Sequence, residues 1–531
     1  MTVQISPEKL RRWLLDDDEL ALIDVREEGI FGADGHLLFA VCLPMSRLEL
    51  DILSLVPRKL VRIVLCDGGD DLAKRAAAKL NSWGYLNISI LEGGVPGWEA
   101  AGNIVFRGVN VPSKAFGEFV EMESKTPNIS AEDLKTMMDS DEDMVILDSR
   151  PFTEYNRMNI PTGIDCPGAE LVYRSRDLVD DDRKIIVNCA GRTRSIIGAQ
   201  SLINAGVPNR VFALRNGTMG WALAGFDLET GSDRTFSEIS QKGLQRAIDC
   251  ADRVSKRFGV ESVNFETLKN WQLEKKDNSI FLLDVRNPDE YASGHLPGSI
   301  SAPGGQLIQA TDKWVGVLRS YLVLIDDNGV RATMTASWLK QMGWPKVFVL
   351  KDGLTDNDLE GGFPELPRLP PKNAEIEKIS PKNLLREINN GTITVVDVAT
   401  SLDYKASHIP SAWWAVRSRL KNKISSIPGK DVLVFTSPDG VLAAYAGSDA
   451  SFITDREVKL LEGGTAAWRA MSLPEQAGFE NMADVNNDIQ YKAYDHDDNV
   501  EMHMQEYLSW ETGLVEQVES DGTARFKHFS T

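Results

Sequence analysis

Short hydrophobic runs alternate with amphipathic stretches along most of this chain. The run 185–187 (Ile-Ile-Val) is short, apolar and bounded by polar residues, which is typical of a buried strand. The stretch that follows places apolar side chains from Ile196 to Ile203 on one helical face and stops at Gly206. Strands and helices that alternate in this order predict βαβ units around a mostly parallel sheet, and hence an α/β fold.

The same pattern occurs four times. Each copy opens with a strand that ends in aspartate, with an aromatic residue seven positions later; the pairs are Asp24 with Phe31, Asp148 with Tyr155, Asp284 with Tyr291, and Asp397 with Tyr404. A second strand follows, and then a third strand that runs into glycine. Self-similarity at this spacing predicts four tandem domains, each a small sheet flanked by helices, at residues 1–124, 125–259, 260–371 and 372–476.

The last segment, residues 477–531, belongs to no copy. The runs 514–518 and 524–529 flank a Ser520-Asp521-Gly522 turn signal, which predicts a small hairpin. We therefore expect a C-terminal extension that packs on one of the domains.

Composition narrows the class of protein. A hydrophobic content of 42% with 26% charged residues is typical of a globular protein, and the net charge of −20 argues against nucleic-acid or anionic-membrane partners. No run is long enough to span a membrane, and the first twenty residues lack the apolar core of a secretory signal. The five cysteines are scattered without zinc-like spacing, so we expect a cytoplasmic protein with no disulfide framework, metal or other cofactor.

The loop 189–195 (Cys-Ala-Gly-Arg-Thr-Arg-Ser) carries the candidate chemistry. It is predicted to join the carboxyl end of a strand to the amino end of a helix, where free backbone N–H groups point outward. The helix end and the side chains of Arg192 and Arg194 should lower the pKa of the Cys189 thiol and attract an anion. The loop therefore predicts a nucleophilic thiolate that faces an anionic substrate.

These residues, taken together, resemble the rhodanese superfamily of sulfurtransferases, and within it the tandem-repeat thiosulfate sulfurtransferases of bacteria. The family's opening pattern appears as Asp148-Ser149-Arg150 followed by Glu154-Tyr155, and its Gly-His-Leu-Pro-Gly pattern appears at 294–298. Its active loop, a cysteine and five further residues ending in a basic one, matches Cys189 to Arg194.

The resemblance implies a reaction and a set of site residues. In the family, thiosulfate places its sulfonate end in such a loop while the thiolate attacks the outer sulfur, sulfite leaves, and a thiol or cyanide takes the sulfur from the persulfide. Cys189 would be the nucleophile, and the substrate-binding residues would be Ala190, Gly191, Arg192, Thr193, Arg194 and Ser195. Within this set, Arg194 is predicted to bind the anionic donor, Gly191 to permit a tight turn or a positive φ, and Ser195 to cap the helix.

The other copies differ at the first position of the loop, where copy two has Cys189. We place Cys66 of copy one, Asp326 of copy three and Thr436 of copy four at this position. Copies three and four lack a nucleophile there. Copy one keeps a thiol, but acidic neighbours such as Asp67 should raise its pKa and repel an anionic donor, so Cys66 is predicted to be inactive.

The other three copies have a histidine at one matching position (His36, His295, His408), where copy two has Asn159. A histidine needed for catalysis would not be absent from the copy with the candidate nucleophile, so we interpret these histidines as structural. The tryptophans after the glycines (Trp98, Trp221, Trp468) are interpreted as packing anchors.

Three questions stay open at this level. The chain could be a regulatory or scaffold persulfide carrier that delivers sulfur to a protein acceptor, and copies could pair within the chain or into a homodimer. Cysteine–arginine loops also hydrolyse phosphate esters, although phosphatases of this fold have one more residue between cysteine and arginine than the loop that ends at Arg194.

Overall fold

Each of the four repeats forms its own five-stranded parallel sheet in the computed structural model, which describes residues 3–274, 277–355, 358–429 and 431–529. In order across the sheet, the strands of copy one are Val3–Ile5, Ile88–Leu91, Arg62–Cys66, Leu20–Asp24 and Val41–Cys42. Those of copy two are Asn128–Ile129, Val211–Leu214, Lys184–Asn188, Met144–Asp148 and Ile164–Asp165. Those of copy three are Glu261–Val263, Val347–Leu350, Tyr321–Ile325, Ile280–Asp284 and Ile300–Ser301. Those of copy four are Glu377–Ile379, Glu457–Leu461, Val432–Thr436, Ile393–Asp397 and Trp413–Trp414.

Helices connect the strands and cover both faces of each sheet, as the alternating pattern predicts. Copy one contains Pro7–Leu15, Glu28–Asp34, Leu48–Leu55, Leu72–Ser82 and Gly94–Ala100. Copy two contains Ala131–Asp139, Phe152–Arg157, Glu170–Leu178, Thr193–Asn204 and Gly217–Leu223. Copy three contains Phe265–Glu274, Pro288–Ser293, Gly304–Gln309 and Val330–Gln341, with a short 3₁₀ helix at Thr311–Lys313. Copy four contains Pro381–Asn390, Ser401–Ala406, Leu420–Lys423, Val441–Ala450 and Gly464–Ala470, with 3₁₀ helices at Arg417–Arg419 and Ile424–Ser426.

Two longer helices join consecutive copies. Val111–Ser124 links copies one and two, and Gln241–Phe258 links copies two and three. The second begins where the Ser240 hydroxyl accepts the Gly243 N–H, and it ends at Gly259 with a φ of 60°. A serine cap and a left-handed glycine are the expected start and stop of a helix.

The C-terminal extension is helical, so the predicted hairpin is wrong. Its elements are a 3₁₀ helix at Ala493–Asp495 and the helices Val500–Thr512 and Leu514–Asp521. Leu514 and Val518 are four residues apart, which places them on one helical face, and both are buried against Val111 and Ala115 of the first connecting helix. Gly522, with a φ of 67°, ends the helix instead of turning a hairpin.

The histidines and tryptophans of the repeat have structural roles, as predicted. His36, His295 and His408 are buried and stack on the aromatic residues Phe31, Tyr291 and Tyr404 of their own copies. Trp98, Trp221 and Trp468 are almost fully buried, and each indole N–H donates to a nearby backbone carbonyl.

Within the residues that the structure describes, no helix is both long and apolar enough to cross a membrane. The same residues contain no cluster of three or more His, Cys, Asp or Glu side chains that could hold a metal ion.

Candidate active site

Cys189 directly follows the central strand Lys184–Asn188 and lies at the bottom of the loop, with 2% of its surface exposed. The helix begins at Thr193, and Arg192 precedes its first turn. Ser195 therefore lies inside the first turn and does not cap the helix, in contrast to the prediction. Its hydroxyl instead donates a hydrogen bond of 2.9 Å to the Cys189 sulfur, where it can stabilise negative charge.

Backbone hydrogen bonds hold the loop against the next helix, Gly217–Leu223. The N–H of Thr218 donates to the Cys189 carbonyl at 2.8 Å, and the N–H of Met219 donates to the Ala190 carbonyl at 3.0 Å. Gly217 has a φ of 55°, and a Cβ atom there would lie 2.2 Å from the Cys189 carbonyl oxygen. Only glycine permits this approach, so the glycine that marks the repeat in the sequence shapes the active loop.

Arg194 is held by two partners from different copies, and its charge interacts with Cys189. Its guanidinium donates to both carboxylate oxygens of Glu154, at 2.8 and 3.2 Å, and to the amide oxygen of Gln306 in copy three at 3.0 Å. Burial opposes ionisation of Glu154, but the charge of Arg194 lowers the pKa of that carboxyl to about 2. Burial also opposes the charge of Arg194, while Glu154 and then Cys189 raise its pKa.

Arg192 points away from this cluster. Its guanidinium donates to both carboxylate oxygens of Glu118 at 2.7 Å, to Glu121, and to the Asn216 side chain at 3.1 Å. Glu118 and Glu121 lie on the connecting helix Val111–Ser124. Of the two arginines predicted to meet the donor, the structure thus places Arg194 beside Cys189 and pairs Arg192 with the connecting helix.

The C-terminal helix Val500–Thr512 covers the outer side of the loop. A Cβ atom on Gly191 would lie 3.1 Å from a ring carbon of Tyr507 and 3.4 Å from a carboxylate oxygen of Glu511. Gly191 does not have a positive φ, so that part of its prediction is wrong, whereas the predicted tight turn is not contradicted; the close approach of Tyr507 is a further reason for a small residue here. Nothing in the local sequence pointed to this contact.

Glu511 ties the covering helix to the loop. It is fully buried, and one of its oxygens accepts the Thr193 hydroxyl and lies 3.4 Å from the Lys114 ammonium. Tyr494, just before this helix, lies with its hydroxyl 3.5 Å from that of Thr218. Burial raises the pKa of both Tyr494 and Tyr507.

The register of the sheets corrects the alignment of the other loops. Asp148 pairs with Asn188, and the matching aspartates Asp24 and Asp397 pair with Cys66 and Thr436. Cys66 and Thr436 are therefore the last residues of their strands and match Asn188. The positions equivalent to Cys189 are Asp67, Asp326 and Ser437.

Cys66 is therefore the last residue of the strand Arg62–Cys66 and does not belong to the loop. Its side chain is fully buried, and its thiol lies 3.5 Å from the backbone carbonyl of Ile23. Burial raises the pKa of Cys66 well above its ordinary value, and Asp24 adds to the effect. The inactivity of Cys66 stays a prediction, and it now has a second physical reason, because the thiol is fully buried in the interior of the sheet.

Comparison with known proteins supports the assignment of the repeats. A sequence model of the Rhodanese-like domain matches residues 6–101, 130–224, 265–357 and 380–471. A crystal structure of a thiosulfate sulfurtransferase from Pseudomonas aeruginosa is 45% identical, with 99% of this chain and all of that chain covered and a TM-score of 0.94.

Curated relatives match through shorter stretches. The Bacillus subtilis protein YrkF, named as a sulfur carrier, is 36% identical over 86 residues, which are 16% of this chain and 46% of YrkF. An HTH-type transcriptional regulator of Mycobacterium tuberculosis is 32% identical over 111 residues, which are 19% of this chain and 46% of the regulator. The chain thus spans less than half of the length of these curated relatives.

Proposed function

Because this chain belongs to the rhodanese family, with four domains of that kind, we propose that it is a thiosulfate sulfurtransferase that works through a persulfide on Cys189. The similarity to the Pseudomonas aeruginosa thiosulfate sulfurtransferase, which extends over almost the entire chain, supports this assignment. The observation that carries it is the contact of the Cys189 sulfur with the Ser195 hydroxyl, beside the guanidinium of Arg194. Among the four matching loop positions, the other residues are Asp67, Asp326 and Ser437, so Cys189 supplies the one sulfur nucleophile.

The first half-reaction transfers the outer sulfur of thiosulfate to the protein. The Cys189 thiolate attacks that sulfur, a sulfur–sulfur bond forms, and the bond to the sulfonate sulfur breaks with its electron pair leaving on sulfite. The backbone N–H groups at the start of the helix Thr193–Asn204, together with the Ser195 hydroxyl, would stabilise the negative charge on sulfur. Arg194 would hold the sulfonate end of the donor.

The second half-reaction returns the protein to its starting state. The acceptor, cyanide or a thiolate, attacks the terminal sulfur of the persulfide, and the electron pair of the broken bond returns to Cys189. Thiocyanate or a new persulfide leaves. No net oxidation occurs in the cycle, and double-displacement kinetics follow.

The loop residues Ala190, Gly191, Arg192, Thr193, Arg194 and Ser195 form the proposed donor site. Arg192 acts through its backbone, because its side chain is paired with Glu118 and Glu121. Five free cysteines, four of them buried, suit a reducing compartment such as the cytoplasm.

A sulfur-transfer assay tests the proposal. Incubation with thiosulfate should release one sulfite per chain and add one sulfur atom, located by mass spectrometry on Cys189, and cyanide should then yield thiocyanate. The C189A variant should do neither, whereas C66S should match the unmodified protein. Turnover that survives in C189A would overturn the assignment, and hydrolysis of an aryl phosphate without sulfite release would point to the phosphatase alternative.

A further inference from the structure

We propose that the helix Val500–Thr512 restricts the Cys189 persulfide to small acceptors and excludes the thiols of folded proteins. This inference rests on the proposed function and decides between two kinds of acceptor that the function leaves open. It assigns a role to the C-terminal extension, which lies outside the four family matches.

The helix Val500–Thr512 lies against the active loop. Tyr507 and Leu508 face Gly191, where a Cβ atom would lie 3.1 and 3.8 Å from their side chains. On the other wall of the loop, Met219 packs in one buried cluster with Leu508 and with Met504 of the same helix. The helix therefore spans the loop from Gly191 to Met219.

The helix Val500–Thr512 is also anchored to copy one. Trp510 donates its indole N–H to the Arg107 carbonyl at 3.1 Å, and its ring lies so close to Gly108 that a Cβ atom there would be 2.4 Å away. Lys114 forms an ion pair with the buried carboxylate of Glu511 at 3.4 Å. These contacts connect the helix to copy one and to the first connecting helix, so that it is held from both sides.

Little of the Cys189 side chain remains open to approach. Copy three also reaches this site, because the Gln306 amide oxygen accepts a hydrogen bond from Arg194 at 3.0 Å. With 2% of Cys189 exposed, the sulfur lies at the bottom of a gap with walls from copy two, copy three and the extension. A cysteine on the surface of a folded protein carries its own backbone and neighbours, and these would collide with Tyr507 and Leu508 before the sulfur atoms meet.

The lining of the gap also suits small anions. Tyr494, Tyr507 and the charge of Arg194 all interact electrostatically with Cys189, and burial raises the pKa of the Tyr507 phenol further above its ordinary value. A protonated phenol can donate a hydrogen bond to thiosulfate, cyanide or a small thiolate.

A competition between acceptors tests the proposal. The persulfide is formed with thiosulfate labelled in its outer sulfur and is then chased with cyanide or with reduced thioredoxin as a protein-thiol probe. In the unmodified protein, cyanide should discharge the label at least about 100-fold faster than thioredoxin at equal concentration, a difference of roughly 2.7 kcal/mol in activation free energy.

Substitutions in the helix Val500–Thr512 sharpen the test. L508A and Y507A should both raise the thioredoxin rate by at least about tenfold, and L508A, which removes no hydrogen-bond donor, should change the cyanide rate by less than about threefold. Y507F, which keeps the ring, should retain the selectivity, and Q505A, on the exposed face of the same helix, is the matched control.

The outcomes separate the inference from the function. Equal rates with cyanide and thioredoxin in the unmodified protein, or an unchanged ratio in L508A and Y507A, would overturn the inference while the function stands. Failure to form any persulfide with thiosulfate would overturn the function itself.

Should the variants not fold, alkylation of the unmodified protein decides the question. Cys189 should react with iodoacetamide and resist a maleimide coupled to a 5-kDa polymer, which is about the size of a small folded module. Equal reaction with both reagents would overturn the inference.

Discussion

The active loops of copies two and three have matching positions and opposite contents. Copy two begins its loop with Cys189, whose sulfur accepts the Ser195 hydroxyl. Copy three begins with Asp326, whose carboxylate accepts the N–H groups of Gly329 at 2.7 Å and Ala332 at 3.1 Å. Copy three therefore fills its own anion site with an internal carboxylate, whereas copy two leaves its N–H groups for a substrate or a persulfide.

The arginines at the end of the two loops show how the copies depend on each other. Arg194 pairs with Glu154 of its own copy and with Gln306 of copy three. Arg331 pairs with Glu290 of its own copy and with Glu170 of copy two, at 2.6 and 2.8 Å. Both partners across the interface come from the helix that follows the short edge strand, so the two copies meet with approximate twofold symmetry.

Copy three, which has no nucleophile, contributes a contact to the candidate site of copy two. Copy three cannot hold a sulfur atom, because Asp326 stands where copy two has Cys189. It nevertheless provides one of the groups that orient Arg194. We therefore propose that activity in copy two depends on the absence of an internal anion in its loop and on contacts from the rest of the chain.

The largest effect should come from transferring the copy-three residue to copy two. We expect C189D to lose sulfur transfer by at least about 10³-fold, since no nucleophilic sulfur remains and the carboxylate occupies the anion site. The loop of copy three accommodates a carboxylate at this position, so the variant should fold. Steady-state thiocyanate formation and a thermal unfolding curve measure both expectations.

The matched control for this substitution is C66S, whose thiol lies in the interior of the first sheet. Sulfur transfer in C66S should equal that of the unmodified protein. Residual turnover in C189D that disappears in the C66S/C189D double variant would contradict the comparison, because it would place a working thiol in copy one.

The fold was largely predictable from the sequence, because the spacing of hydrophobic residues and its fourfold recurrence along the chain indicate buried strands such as 185–187 directly. The last residue of a strand was not. The sequence pattern aligns Cys66 and Thr436 with Cys189. Their pairing with Asp24 and Asp397 in the sheets shows that they match Asn188, one position earlier. A shift of one residue moves a side chain to the other face of a sheet, so it changes the chemical interpretation completely.

The candidate site was predictable where its residues are neighbours along the chain. Cys189 and Arg194 belong to one loop motif and could be recognised together. Glu511 and Gln306 could not, because they contact Thr193 and Arg194 across 318 and 112 residues of sequence. Contacts of this length depend on how the domains pack, and one sequence contains no local signal for them.

A second prediction concerns pH and the internal carboxylate of copy three. Burial raises the pKa of Asp326 from 3.8 to about 6, against the opposing charge of Arg331. Since an acid with a raised pKa holds its proton more tightly in the folded state, folding stability falls as pH increases from about 4 to about 6. At about 1.36 kcal/mol per pKa unit, this contribution amounts to roughly 2–3 kcal/mol.

The D326N variant, which cannot ionise at this position, should lack that part of the pH dependence. Melting temperatures of the two proteins at pH 4.5 and pH 7.5 measure it, and the melting temperature of D326N relative to the unmodified protein should rise with pH. A constant difference between the two proteins over this range would contradict the assignment of a buried, proton-holding Asp326.

A third prediction tests the arginine of copy two. Lysine cannot form the two parallel hydrogen bonds that Arg194 makes with Glu154, although it keeps the charge. R194K should lower kcat/KM for thiosulfate by about 10- to 100-fold, mainly through a higher KM, because charge-assisted hydrogen bonds contribute about 1.5–3 kcal/mol. Separate measurement of kcat and KM checks this, and an unchanged KM would contradict a role of Arg194 in donor binding.

The smallest expected effect tests the dependence of copy two on copy three. Q306A removes the hydrogen bond of 3.0 Å to Arg194 and leaves the pair with Glu154 intact, so KM for thiosulfate should rise by about three- to tenfold with little change in kcat. The control is Q309A, the same substitution on the same helix, where the amide oxygen is buried without a hydrogen-bond partner among the described residues. If Q309A raised KM as much as Q306A, the effect would come from loosening the helix Gly304–Gln309 and not from the bond to Arg194. A rise confined to Q306A would show that a domain without a nucleophile takes part in binding the donor of its neighbour.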